Sequence, residues 1–184
     1  MGPEILVRSS GGGAVLAGPW MLAASVALPA DHVLVSGGAI DSYRWLGECV
    51  AAALRECGVA AARAIAPQKM ARTRNPSEWA CFGALSPWEV VAGERKIAGL
   101  AQVRRRRGIL LVTGVLLEAP PWELLCRPLG FPAAEAARLE GCTTNCEAQS
   151  AGTVGAAKVR CELARQLGAS LGPEAQDAVP CGLP

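Results

Sequence analysis

Histidine is nearly missing from this 184-residue chain, with His32 its single example. Eight cysteines are present, at positions 49, 57, 81, 126, 142, 146, 161 and 181, but none forms a CxxC pair. Cys142 and Cys146 have no second pair to complete a zinc site, so the composition argues against a metal centre. Strong charge of either sign is missing too. Eighteen Lys and Arg against sixteen Asp and Glu leave a net charge of +2, too small by itself to point to nucleic acid. No unbroken apolar run is long enough to span a bilayer, because "AVLAGPWMLAASVALPA" is interrupted by Pro19 and Pro29. That stretch follows Arg8 as a secretory signal would, yet Gly-Gly-Gly precedes it and Glu4 stands before the arginine. The expectation is a cytoplasmic protein with reduced thiols, no membrane association and no nucleic-acid partner.

What is present reads as a folded globule: 51% apolar and 18% charged residues. Residues 1–144 are expected to form the main domain and residues 145–184 a C-terminal helix with a loose tail. "PEILVR" (3–8) reads as a short strand entering the glycine loop and "WMLAASVAL" (20–28) as a second strand. In 39–58, Ile40, Tyr43, Leu46, Val50, Ala53, Leu54 and Cys57 recur at helical spacing, and Gly58 stands where a cap belongs. Cys49 and Cys57 on this pattern read as small core residues. Residues 59–66 suit another strand and 67–78 a polar loop. "WACFGAL" (79–85), "WEVVAG" (88–93) and the run 95–119 look like strands, with a tight turn at 92–95 and a break at Gly108. Short helical pieces follow at 121–130 and 132–140, then a final helix over 154–168 ending in glycine. The class is α+β, a mostly antiparallel sheet flanked by helices.

Four features could carry chemistry. Gly11, Gly12 and Gly13 permit close approach of bare backbone to an anionic or extended ligand, with Arg8 placed to pair with a phosphate or carboxylate; an ordinary glycine loop has the same composition. Neither a Walker A loop nor a GxGxxG turn is present. Lys96 enters an apolar strand directly after a turn, and either meets solvent or projects into a site. Cys81 is either a buried thiol or, with a cation beside it, a nucleophile. "RRRR" (104–107) reads as a solvated sheet end or a patch for an acidic protein partner.

"VRSSGGGAV" (7–15) followed by "WEVVAGERKIAGLAQVRRRRGILLVTGVLL" (88–117) resembles the catalytic domain of the lipoate-protein ligase and octanoyltransferase family, itself related to biotin ligases. "CFGALSPWEV" (81–90) is similar to the segment that carries the nucleophile in the cysteine-dependent octanoyltransferase branch. The resemblance runs from about Glu4 to about Thr144. It implies a biotin/lipoate ligase-like fold and protein lipoylation, the attachment of a lipoyl or octanoyl group to a lysine of a lipoyl domain. Lys96 and Cys81 become the catalytic residues, and Arg8, Ser9, Ser10, Gly11, Gly12, Gly13, Ala14, Gly99 and Ala101 the substrate-binding ones. The broader expectation is an ATP- and Mg²⁺-dependent lipoate ligase working through an acyl-adenylate. The alternative is an octanoyltransferase needing no cofactor, taking its acyl group from acyl carrier protein onto Cys81. A second alternative is a non-catalytic module that binds an acyl chain or a lipoyl domain. The acceptor implied is a lipoyl domain of a 2-oxoacid dehydrogenase complex or the H protein of glycine cleavage. Family members carry further chain ahead of the glycine loop, so a catalytic domain short at its N-terminal side, with an open sheet edge, is expected here.

Overall fold

Short links between apolar runs favour antiparallel pairing, because parallel neighbours require a crossover of a dozen or more residues. In the computed structural model of the chain, which describes residues 4–8, 10–69, 77–152 and 154–172, five strands pair in this way. They are β1 (Met21–Pro29), β2 (Ala62–Ala64), β3 (Val90–Ala92), β4 (Arg95–Arg105) and β5 (Gly108–Leu116). Their order in the sheet is β1-β5-β4-β3-β2, every neighbouring pair antiparallel. The helices are α1 (Ser42–Glu56), α2 (Glu123–Cys126), α3 (Ala133–Cys142), α4 (Cys146–Gln149) and α5 (Ala156–Leu171). The α+β class with an antiparallel sheet flanked by helices is the one observed. β1 forms one edge of the sheet, paired on one side with β5. Ser9, residues 70–76 of the polar loop and the tail beyond Gly172 lie outside the described residues.

The strand period of two sorts side chains to two faces. On one face Ile109, Leu111 and Val115 of β5 meet Leu46, Val50 and Leu54 of α1 and Val159, Leu163 and Leu167 of α5. Cys49 and Cys57 belong to this core, as their helical spacing implies. On the other face a smaller cluster joins Leu116 to Phe82, Trp122, Leu125 and Leu139, bringing α2, α3 and the loops before them together. No helix among the described residues is long and apolar enough to cross a membrane.

Several local expectations need correction. Residues 4–8 form no ladder: the chain is exposed there, with Val7 almost wholly in solvent, and its first pairing is the isolated bridge of Ala14 with Ala80. "WACFGAL" is a run of turns, with Ala80 N–H donating to the Ser77 carbonyl and Gly83 N–H to that of Ala80. Ile40 precedes α1 and is exposed, while Gly58, at φ +100°, does close that helix. The final helix continues through Gly168 to Leu171, because the left-handed residue that ends it is Gly172. Only Arg104 and Arg105 of the four arginines lie on a strand, the other two forming the β4–β5 turn. Arg104 is engaged with the Ser42 hydroxyl and the Val35 carbonyl.

Two side-chain constraints hold the loops to this frame. Gly47 on α1 lies against the backbone of Trp88, whose own φ is +69°, and a Cβ on Gly47 would sit 2.1 Å from the Trp88 carbonyl oxygen. Glu135 on α3 accepts hydrogen bonds from Ser77 and from the Trp79 indole at 3.0 Å, and pairs with Arg138 at 2.7 Å. These bonds, led by that from Ser77, hold its carboxyl below the usual glutamate value of 4.5.

Gly47→Ala should therefore destabilise the protein by about 1–3 kcal/mol, although alanine is the better helix former. A lower melting temperature in calorimetry is expected, and an unchanged or higher one would show that the Trp88 loop yields freely. For Glu135, a depressed folded-state value means stabilisation that is complete above pH 4.5 and lost as pH falls through the lowered value. Urea unfolding of wild type and Glu135→Gln should thus differ most near neutrality and converge in acid. A gap that stays constant with pH would refute this reading.

Candidate active site

A lysine on β4 need not face the glutamate that immediately precedes β3; here a break in register makes it do so. Val90 pairs with Ala98 but Val91 pairs with Lys96, so Ile97 is an extra residue on β4. Such a bulge re-aims the side chains beside it. Ile97 joins the core under α1, while Lys96 turns to the opposite face with Gly99. Strict alternation from Ala98 would have sent Lys96 into the helix-side core.

There the ammonium is 2% exposed and bound on all sides. Nζ lies 2.6 Å from Glu89 Oε2, and donates to the carbonyls of Cys81 at 2.5 Å and Ala84 at 2.9 Å. It also sits 5.3 Å from the centre of the Phe82 ring. An ammonium has three hydrogens, and these three acceptors take them all. Glu89 is equally buried and receives backbone N–H bonds from Ser86 at 2.7 Å and Leu100 at 3.2 Å. Glu89 was not among the residues expected from sequence. The signal that could have found it is the one that drew attention to Lys96, a charge inside an apolar strand pattern, "WEVV".

The glycine loop meets the cysteine segment through backbone. Ala14 N–H donates to Trp79 O and Cys81 N–H to Ala14 O, both at 2.8 Å. Gly13 makes that possible, because a Cβ there would fall 2.2 Å from Trp79 O. Gly12 adopts φ +100°, and Arg8 reaches across the loop to the Ser10 hydroxyl at 2.5 Å and Gly13 O at 2.8 Å. Gly11 faces open space. Gly13 therefore serves first to seat the loop on residues 79–81.

Between loop and sheet lies a cavity of about 320 Å³. Arg8, Ser10, Cys81, Gly99 and Ala101 line it together with Met21, Val103, Leu110 and Val112 from three strands. Gly12, Gly13 and Ala14 line a neighbouring cavity with Arg8 and Ser10. Most of the expected residues are thus gathered in one region; Gly11 lines neither cavity, and Ser9 lies outside the described residues. Lys96 approaches the first cavity from behind Gly99, where a Cβ would meet Lys96 Cε at 3.5 Å and both Cys81 Sγ and Glu89 Oε1 at 3.6 Å.

Burial pushes the Cys81 thiol up; Lys96 pulls it down, Glu89 raises it and Arg8 lowers it. Burial likewise raises the Glu89 carboxyl, against the pull of Lys96. Of the other thiols, Cys146 is driven up to about 12 by burial and behaves as core. Among the described residues, no three His, Cys, Asp or Glu side chains converge as a metal site would require.

The sequence profile of the lipoyl protein ligase A/B catalytic domain matches residues 1–129. An octanoyltransferase LipM from Exiguobacterium sibiricum is 33% identical over 126 residues, covering 67% of this chain and 45% of the relative. The chain thus spans less than half the length of the curated relatives it matches. Among solved structures, a lipoate-protein ligase A bound with ATP superimposes with a TM-score of 0.62 at 20% identity, over 93% of this chain and 63% of that one. A bi-partite lipoate protein ligase from Thermoplasma acidophilum, studied with its E2 lipoyl domain, gives 0.60 at 21% identity over 93% and 62%. With more than half of its length matched by the profile, and with the sheet, the glycine loop and the buried lysine in the places described, the chain belongs to the lipoyl protein ligase A/B catalytic-domain family.

Proposed function

We propose that this chain acts in protein lipoylation as an acyltransferase that works through a Cys81 thioester. One observation carries the reading: Cys81 stands in the wall of an apolar cavity, and the Lys96 ammonium is bound to its backbone carbonyl. The names of the curated relatives, octanoyltransferases, support the same branch. An aliphatic acyl chain would lie along Met21, Val103, Leu110 and Val112.

The chemistry needs two steps. The Cys81 thiolate attacks the carbonyl carbon of an octanoyl thioester on acyl carrier protein, and the carrier thiol leaves with a proton. The amine of a lysine on a lipoyl domain then attacks the Cys81 thioester, forming an amide and restoring the thiol. Such a domain, from a 2-oxoacid dehydrogenase complex or the glycine cleavage H protein, is the acceptor in this reading. Lys96 contributes mainly through its charge, since its hydrogens are engaged by protein acceptors. A nucleotide phosphate would have to compete for them, which favours the thioester route over the acyl-adenylate one. All residues assigned here lie within 1–144, the part proposed as the catalytic domain.

Incubation with an apo lipoyl domain, followed by mass spectrometry of the acceptor, tests this. Octanoyl-acyl carrier protein alone should add an octanoyl group, and Cys81→Ser should slow the transfer by on the order of 10³-fold. Mass gain only with lipoate, ATP and Mg²⁺, untouched by Cys81→Ser, would establish a ligase instead. No gain under either condition from folded protein would leave a binding module.

Gly99→Ala separates folding from function at this site. Its methyl would meet neighbours at 3.5–3.6 Å, ordinary contact, so the melting temperature should change little. The same methyl touches the Cys81 thiol, the Lys96 stem and the Glu89 carboxylate at the cavity wall, and the transfer rate should fall by roughly ten-fold or more. A fully active variant would place the reacting carbonyl elsewhere.

A further inference from the structure

The buried carboxylate of Glu89 has no part in the two steps above, and its placement calls for one. It lies on the segment leading into β3, accepts N–H bonds from Ser86 and Leu100, and meets Lys96 Nζ at 2.6 Å. Two backbone donors fix its orientation, so it behaves as a rigid counter-charge. Lys96 in turn holds the carbonyls of Cys81 and Ala84, one on each side of Phe82 and Gly83. The chain of contacts therefore runs from Glu89 through Lys96 to the backbone of the nucleophile.

We propose that Glu89 is a positioning residue: its carboxylate keeps Lys96 charged in the interior and seated on the Cys81 carbonyl, which gives the thiol a fixed cation. This rests on the acyl-transfer reading for its use in catalysis, though not for its physical basis. An ammonium buried without a counter-charge releases its proton. Glu89 acts on Cys81 in two opposed ways, repelling the thiolate directly and maintaining the cation that attracts it. The proposal holds that the second effect prevails. The charged or titratable groups around Cys81 are Lys96 on β4, Glu89 before β3, Arg8 beside the glycine loop and Tyr43 on α1; Cys142 on α3 also feels Lys96.

The two effects have opposite signs, which makes them separable. Cys81 in the whole 184-residue chain is alkylated with iodoacetamide from about pH 6 to about pH 10, and its modified peptide is quantified by mass, since the thiolate is the reactive form. Glu89→Gln should move the inflection to higher pH by about one unit, in the same direction as Lys96→Met. The double variant should shift no further than Lys96→Met alone. An inflection that moves to lower pH in Glu89→Gln, or stays in place, overturns the proposal. Should Glu89→Gln fail to fold by circular dichroism, the wild type decides through NMR of the Lys96 side-chain nitrogen. An ammonium at neutral pH supports the proposal and an amine overturns it. The assay needs no acyl substrate, so the two readings fail separately. Transfer that survives Cys81→Ser removes the thioester mechanism while the alkylation shifts stand. Transfer abolished by Cys81→Ser with no upward shift in Glu89→Gln removes only the role of Glu89.

Discussion

An ammonium taken out of water must find its counter-charge and its hydrogen-bond acceptors inside the protein. Lys96 finds Glu89 and two carbonyls there, and much of the surrounding architecture follows from that requirement. The carbonyls belong to residues 81–84, a segment of turns with no sheet partner beyond the bridge at Ala80. Without the lysine that segment would lose the contact that ties it to β4. Removing one member of a buried pair leaves the other uncompensated and typically costs about 3–5 kcal/mol. The pair is thus weak evidence for net stability but strong evidence that this geometry is required. The bulge at Ile97 has the same logic, since it trades a regular ladder for a lysine aimed at the cysteine segment.

The glycine loop and the cysteine segment depend on each other in a comparable way. Bonds between Ala14, Trp79 and Cys81 need backbone contact closer than any side chain at Gly13 would permit. Behind them, Glu135 gathers Ser77, Trp79 and Arg138, and Phe131 stacks on Trp79 at 3.8 Å. The site is therefore supported from α3 on one side and from β4 on the other. Its cavity lies between two loops, each immobilised by hydrogen bonds rather than by regular structure.

Legibility differed by the kind of physical signal. The period of α1 was plain because Leu46, Val50, Ala53 and Leu54 fall on one buried stripe. β1 was readable as an apolar run ended by Pro29, and β4 and β5 as one strand-like run broken near Gly108. "WACFGAL" misled because its apolar residues are buried by surrounding turns and helices, so it has a strand's composition without a strand's ladder. Residues 4–8 misled for the opposite reason: their β-branched and apolar character met no partner strand. Glu89 escaped notice since a carboxylate near the start of a strand normally reads as exposed, and its burial depends on a lysine seven residues later.

By itself the sequence determined the class of fold, the principal helix and the long hairpin of β4 and β5, and it pointed to Arg8, Ser10, Cys81, Gly99 and Ala101, which line one cavity. These rest on local quantities: periodicity, turn chemistry and the family pattern of glycines and lysine. Tertiary structure alone decided which face of β4 Lys96 occupies, because a single extra residue reverses the alternation and leaves no mark in composition. It alone decided that the lysine's hydrogens are spent on Glu89 and the cysteine segment, and that two of the three glycines answer to neighbouring backbone or to a left-handed turn. Charge pairing and close approach are properties of distance in space, and the order of residues along a chain does not contain them.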